Sequence, residues 1–201
     1  MAPMMHPFRP PFQFRIAIAV VIVGVLLLSG VYASIASRAG EARGLAAFDK
    51  VAAVFEHPRC INCHHSGQPR VRDNSRKHIP SVRSGNDGTG VGGGRCQICH
   101  RDTNNELTRI PGRKGWRMPP YTMSWDGLGA ADICDNIKDR SMNGDRNLKA
   151  LKHHFVHDEF IKWAWNPGSK RSVPPVPYDQ FIKNISVWLD AGAPCPVPAD
   201  K

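Results

Sequence analysis

Cys60-Ile61-Asn62-Cys63-His64 and Cys96-Gln97-Ile98-Cys99-His100 are two copies of one pattern, C-x-x-C-H, set 36 positions apart in a chain of 201 residues. Two thiols three positions apart can reach the two vinyl groups along one edge of a porphyrin, and the next residue presents an imidazole to the iron from one face. The pattern is the signature of covalent haem attachment. The expected cofactors are therefore two haem c groups, one held by Cys60, Cys63 and His64 and the other by Cys96, Cys99 and His100. His64 and His100 are the expected proximal iron ligands. A four-cysteine zinc site would leave the paired histidines unexplained, and a thioredoxin-like redox pair lacks its βαβ pattern.

The separation between the motifs is too short to complete one monohaem domain before the next begins. Both haems must then share one fold and lie close together, which suits the passage of electrons from one to the other. The sixth ligand decides what each iron can do: two strong protein ligands close it to substrates, and an open face admits oxygen or peroxide. The candidates are His78, His153, His154, His157, Met118 and Met123. On a helix through Leu148, Leu151 and Phe155, His154 flanks the apolar side while His153 faces solvent with Lys149, which favours His154. Met118-Pro119-Pro120 is a rigid loop able to present a thioether. Cys134 and Cys195 lie outside both motifs; in an oxidising compartment the leftover pair most simply forms a disulfide, with two free thiols as the alternative.

That compartment is set by residues 16–36, which carry no charge over 21 positions, enough helix to cross about 30 Å of hydrocarbon. Arg9 and Arg15 precede the run and no acidic residue occurs before it, an asymmetry that keeps the N-terminus in the cytoplasm. The expected organisation is a cytoplasmic tail at 1–15, a single transmembrane anchor at 16–36, a polar tether at 37–44 and a dihaem cytochrome c-like domain at 45–201. The protein is then an inner-membrane protein with its haem domain in the periplasm. Cleavage after the small residues Ser34 and Ala36 would instead release that domain to the periplasm.

Apolar residues make up 41% of the chain, yet 24 of them lie in residues 1–36, so the remainder is only about 35% apolar, below the usual globular share. Two large apolar macrocycles would supply the missing core. With 18 Gly and 17 Pro the expected fold class is mainly α with long loops. Helical spacing occurs from Leu45 to Phe55 with Pro58 as the stop, at about 129–139 and 146–157, and from Tyr178 to Leu189 with Gly192 and Pro194 as the stop. Gly88, Gly90 and Gly93 have the G-x-G-x-x-G order without a preceding strand, so a flexible turn, or backbone closely approaching a flat ligand, explains them.

Residues 37–201 carry 25 Lys+Arg against 17 Asp+Glu, a net of +8. Outside the cytoplasm this argues against nucleic acid as a partner and points to an acidic protein surface or anionic headgroups, with a generic solubilising surface charge as the alternative. Arg70, Arg72, Arg76 and Lys77 form the nearest cluster to the first motif.

At these residues the chain resembles exported c-type cytochromes. More closely, it resembles the small dihaem proteins labelled isoquinoline 1-oxidoreductase subunit, companions of molybdenum-containing hydroxylases. The matching segments are His57 to His64, Cys96 to His100, Met123-Ser124-Trp125-Asp126-Gly127-Leu128, Trp163-Ala164-Trp165-Asn166-Pro167-Gly168 and Ala191-Gly192-Ala193-Pro194-Cys195-Pro196. The resemblance implies electron transfer, with a molybdenum-containing dehydrogenase as periplasmic partner. It favours His78, Met123 and His154 as sixth-ligand positions, and Met118 stands where the family tends to have Leu. The expected role is an electron-transfer protein or subunit, passing electrons from a dehydrogenase towards the respiratory chain, and not an enzyme in its own right. A dihaem peroxidase-like enzyme would require a five-coordinate iron beside an acid–base group. A haem-based sensor would require a signalling module that residues 1–15 do not hold.

Overall fold

Residues 12–55 contain no proline, and they form one helix, α1 (Phe12–Phe55), in a computed structural model that describes residues 12–66, 69–71, 76–168 and 170–198. The segment expected as a cytoplasmic tail therefore lies, as far as residue 11, outside the described residues. Two compact units divide the chain between Gly40 and Glu41. In the first, α1 leaves Val21, Leu26, Leu27, Val31 and Ile35 exposed. Among the described residues α1 is the one helix long and apolar enough to cross a membrane, as an anchor or as a signal sequence. The polar stretch expected as a tether is itself helical; it contains no proline, and its Ala, Arg and Glu residues favour the helix against Gly40 and Gly44.

The second unit is mainly α. The far end of α1 is followed by the single turns α2 (Pro58–Ile61) and α3 (Cys96–Cys99), then α4 (Ala130–Lys138), α5 (Leu148–His157), α6 (Glu159–Trp163) and α7 (Tyr178–Asp190). A small hairpin pairs β1 (Arg70–Val71) with β2 (Arg76–Lys77), Arg70 opposite Lys77. The three longer helices of this unit fall where the apolar spacing placed them. α6 was not expected. It begins because the Asp158 carboxylate accepts from the Phe160 N–H at 2.7 Å, ending α5 and capping its successor in one residue.

The core gathers Phe48, Val51, Val54 and Phe55 of α1 with Ile133 and Ile137 of α4, Leu151 and Phe155 of α5, and Phe181, Ile185, Trp188 and Leu189 of α7. Phe48 packs on Trp188 at 4.9 Å, and Phe55 meets Trp125, Phe155 and Phe181 at 5.0, 5.7 and 5.9 Å. Buried Asn143 locks the turn between α4 and α5 by donating to the carbonyls of Ile137 and Arg146 at 2.8 and 2.9 Å. Cys134 and Cys195 form a disulfide that ties α4 to the C-terminal tail. Gly44 is needed beside that tail, since a Cβ there would lie 2.7 Å from both Ala191 Cβ and Pro194 Cγ.

Candidate functional site

The first motif starts where α1 stops. His57 caps α2 by accepting the Arg59 N–H on Nδ1 at 3.1 Å, and Pro58 occupies the first helical position, where no N–H is needed. The turn continues until the His64 N–H donates to the Cys60 carbonyl at 2.9 Å, which carries both thiols and the histidine on one short helical segment. Around His64 the 121–125 segment closes twice. The ring donates from Nδ1 to the Met123 carbonyl at 2.7 Å, and the Trp125 N–H donates to the His64 carbonyl at 2.9 Å. The Trp125 ring lies flat on the imidazole, centroids 3.6 Å apart and planes 5° apart. A carbonyl can only accept, so the Nδ1 proton is fixed and Nε2 is the bare nitrogen of the neutral ring.

The second motif repeats this arrangement on different loops. The His100 N–H donates to the Cys96 carbonyl at 2.9 Å, Nδ1 donates to the Pro111 carbonyl at 2.7 Å, and Trp116 stacks on the ring at 4.2 Å and 11°. His78, directly after β2, donates from Nδ1 to the Pro80 carbonyl at 2.8 Å. Its Nε2 lies 3.5 Å from Nε2 of His100. In the neutral rings both facing nitrogens are bare acceptors, a contact that a metal ion between them would turn from repulsive to attractive. Opposed imidazoles on a first-row ion stand about 4 Å apart at about 2.0–2.1 Å per bond, close to the spacing found.

A cavity of about 280 Å³ opens at the first motif. Its walls include Cys60, Cys63 and His64, together with Met118, Met123 and His154. The apolar part comes from core residues, chiefly Phe55, Leu151, Phe155 and Phe181, and the charged part from Arg59, Arg117, Arg146 and Asp158. Asp158 lies 3.4 Å from His154 Nδ1, which leaves Nε2 of His154 as the nitrogen for a metal. His153 is exposed, as the helical spacing indicated. Gly88 braces the loop bearing Met118: its carbonyl accepts the Met118 N–H at 2.8 Å, and at φ +73° a Cβ would stand 2.2 Å from the Met118 carbonyl oxygen. The close approach at Gly88 is thus made to another loop and not, as expected, to a flat ligand.

Burial dominates the electrostatics of the first site. It pushes the Cys60 thiol up to about 12, with Cys63 adding and Arg59 opposing. It pushes Cys63 up to about 11, opposed by Arg59 and reinforced by Cys96 of the other motif. Burial also pushes His64 down to about 4, against the Met123 hydrogen bond, so the ring is neutral, the form that binds metal. His100 is lowered by burial, with the Pro111 bond opposing, and His154 by burial and then by Arg146. The second site is more open: Cys99 is exposed, and so is Ile98.

The two motifs are linked by aromatic contact, for Trp116 on His100 meets Trp163 at 5.3 Å and Trp163 lines the first cavity. The four motif thiols are unpaired. Among the described residues no group of three or more His, Cys, Asp or Glu is gathered to hold a metal ion, so the thiols do not form a four-cysteine set. The supporting residues Trp116, Trp125, Pro111 and Asp158 were not read from the sequence. The flat stack and the carbonyl acceptors depend on tertiary approach, and only Asp158, as a cap before Glu159, has a local signal. No protein-family model, curated protein or solved structure matches this chain.

Proposed function

We propose that this chain is a membrane-anchored dihaem c-type cytochrome that carries electrons from a periplasmic dehydrogenase towards the respiratory chain. The observation that carries the reading is the duplicated environment of His64 and His100: a C-x-x-C turn, an Nδ1 proton given to a backbone carbonyl, and a tryptophan stacked on the ring. Haem bound at each motif would supply a one-electron iron couple.

The chain's own residues do the rest. Cys60 with Cys63, and Cys96 with Cys99, would form the thioether attachments. His64 and His100 would serve as proximal ligands, oriented and made more basic by the Met123 and Pro111 carbonyls. His78 would close the second site, since its Nε2 already faces His100. At the first site His154 is the better partner than Met123. The Met123 carbonyl holds the Nδ1 side of His64, behind the ring as seen from Nε2, whereas His154 lines the cavity with its own Nδ1 held by Asp158. Arg59, Arg117 and Arg146 would hold the carboxylates of the first haem. A molybdenum-containing dehydrogenase is the partner that the family resemblance implies.

The test is maturation in a host with a c-type haem-attachment system, followed by intact mass and a pyridine haemochrome spectrum. Two haem additions per chain are expected, and Cys63→Ala or Cys99→Ala should each remove one. No addition in the unaltered chain, with zinc bound instead, would overturn the reading.

A further inference from the structure

We infer that the second site is the docking face of the molecule and that it receives an acidic protein partner. This rests on the dihaem reading above and adds to it which of the two sites exchanges electrons with the outside. The basic hairpin is nearest in sequence to the first motif, yet its second strand leads into the second site. Arg76 and Lys77 of β2 run directly into His78, whose ring faces His100. Arg72 of the same cluster lies outside the described residues.

The charges flanking the two motifs are used differently. Beside the first motif, Arg59 donates from Nε to the Ser172 carbonyl at 3.0 Å and stands over the Trp163 ring, while His65 pairs with Asp126 at 3.5 Å. Those side chains are already engaged within the fold. Beside the second motif, Arg76, Lys77 and Arg101 are exposed and none of them forms an ion pair among the described residues. Asp87, an acidic residue of this segment, is paired with Arg95. Residues 76–117 hold nine Lys+Arg against three Asp+Glu, so most of the net +8 of residues 37–201 sits in the segment that carries the second motif.

Burial points the same way. The first site lies in a cavity walled by core side chains such as Phe55, Phe155 and Phe181, whereas at the second Cys99 is open to solvent and Ile79 and Ile98 are 92% and 55% exposed. Exposed cations at Arg76, Lys77 and Arg101, close in sequence to exposed Ile79 and Ile98, suit a transient redox complex, which is small and steered by charge. An anionic membrane would also attract the cations and is the competing outcome of the test.

The experiment uses the full chain with both haems in a nonionic detergent. One electron passes from the reduced protein to hexacyanoferrate(III), which becomes hexacyanoferrate(II), and stopped-flow absorbance follows the step. At low salt, Arg76→Glu/Arg101→Glu should slow this oxidation about tenfold, the lower end of steering effects. Lys149→Glu/Lys183→Glu, with the same charge change at exposed positions elsewhere, should change it less than about twofold. The gap should close at high salt. Independently, poly-glutamate should protect Lys77 from acetylation in the unaltered chain, read by mass spectrometry. Equal slowing in both variants, or protection of Lys77 by phosphatidylglycerol vesicles but not by poly-glutamate, would overturn the docking assignment. Haem content measured on the same samples separates the two failures: two haems with no differential effect defeats this inference alone, and no haem defeats the function beneath it.

Discussion

Replacing both Cys134 and Cys195 by alanine should cost about 4 kcal/mol of stability, nearly all of it through the unfolded chain. The bond spans a sequence separation of 61 residues, and loop closure of that length is worth about 4 kcal/mol at 25 °C in the chain-entropy account. The native tail has other ties. Trp188 donates from Nε1 to the Pro194 carbonyl at 3.0 Å, and the Ala193 N–H donates to the Trp188 carbonyl at 2.9 Å. The folded state should therefore keep its shape. With stability of roughly 5–15 kcal/mol for a domain, the loss is a large part of the whole and lowers Tm by roughly 8–16 °C for a domain of this size. Guanidinium denaturation of the haem-loaded chain in nonionic detergent, followed by tryptophan fluorescence, measures it. The m-value should rise as the unfolded ensemble expands. Cys134→Ala alone should lose nearly as much, because either change breaks the bond. A loss under about 1 kcal/mol with an unchanged m-value would refute the loop-entropy reasoning.

His78→Ala should turn the second haem high-spin and leave the first unchanged, while His154→Ala should do the reverse; electron paramagnetic resonance distinguishes the cases, and exchanged or absent effects would reject the ligand assignments. Trp116→Ala removes a buried ring that contacts His100, Phe160 and Trp163 and should cost about 3–5 kcal/mol in a denaturation curve, with the spectral change confined to the second site. In the haem-free chain, iodoacetamide should label exposed Cys99 first. Cys60 and Cys63, raised by burial to about 12 and about 11, should label about ten times faster for each unit of pH up to those values, since only the thiolate reacts. Because burial raises the thiol values on folding, the same chain should lose stability as pH climbs past the ordinary thiol range towards 12, which a pH series of urea melts would show.

Sequence periodicity was enough to place α4, α5 and α7, because each buries one stripe against a shared core: Ile133 and Ile137, Leu151 and Phe155, and Phe181 to Leu189. It also separated His154 from His153 on α5. The disulfide could be read by exclusion once four thiols were assigned to motifs. What could not be read was any contact made by approach of distant loops. Met123 and Pro111 matter at the site through their carbonyls, and a carbonyl leaves no mark on the residue type that carries it. His78 stood among six candidate ligands until the hairpin of β1 and β2 brought it opposite His100. Arg76 and Lys77 were grouped by chain proximity with the first motif, whereas they lead directly into His78, which faces His100 of the second.

The shortage of apolar residues outside α1 has its physical counterpart in where the core stops. Val54, Phe55, Ile137, Leu151, Phe155 and Phe181 belong at once to the packed core and to the cavity wall at Cys60, Cys63 and His64. Side chains shared between core and cavity wall are placed to make dispersion contacts with a flat apolar group seated at the motif, as haem would be. The first motif would then be a structural element as much as a redox one. The second, with Cys99 and Ile98 at the surface, adds little to the packing. Loss of the first haem, through Cys60→Ala/Cys63→Ala, should therefore lower solubility and broaden the unfolding transition, whereas Cys96→Ala/Cys99→Ala should leave a folded protein with one haem. Size-exclusion profiles and denaturation curves of the two variants measure the difference, and equal stability in both would show that the cavity wall does not depend on what fills it.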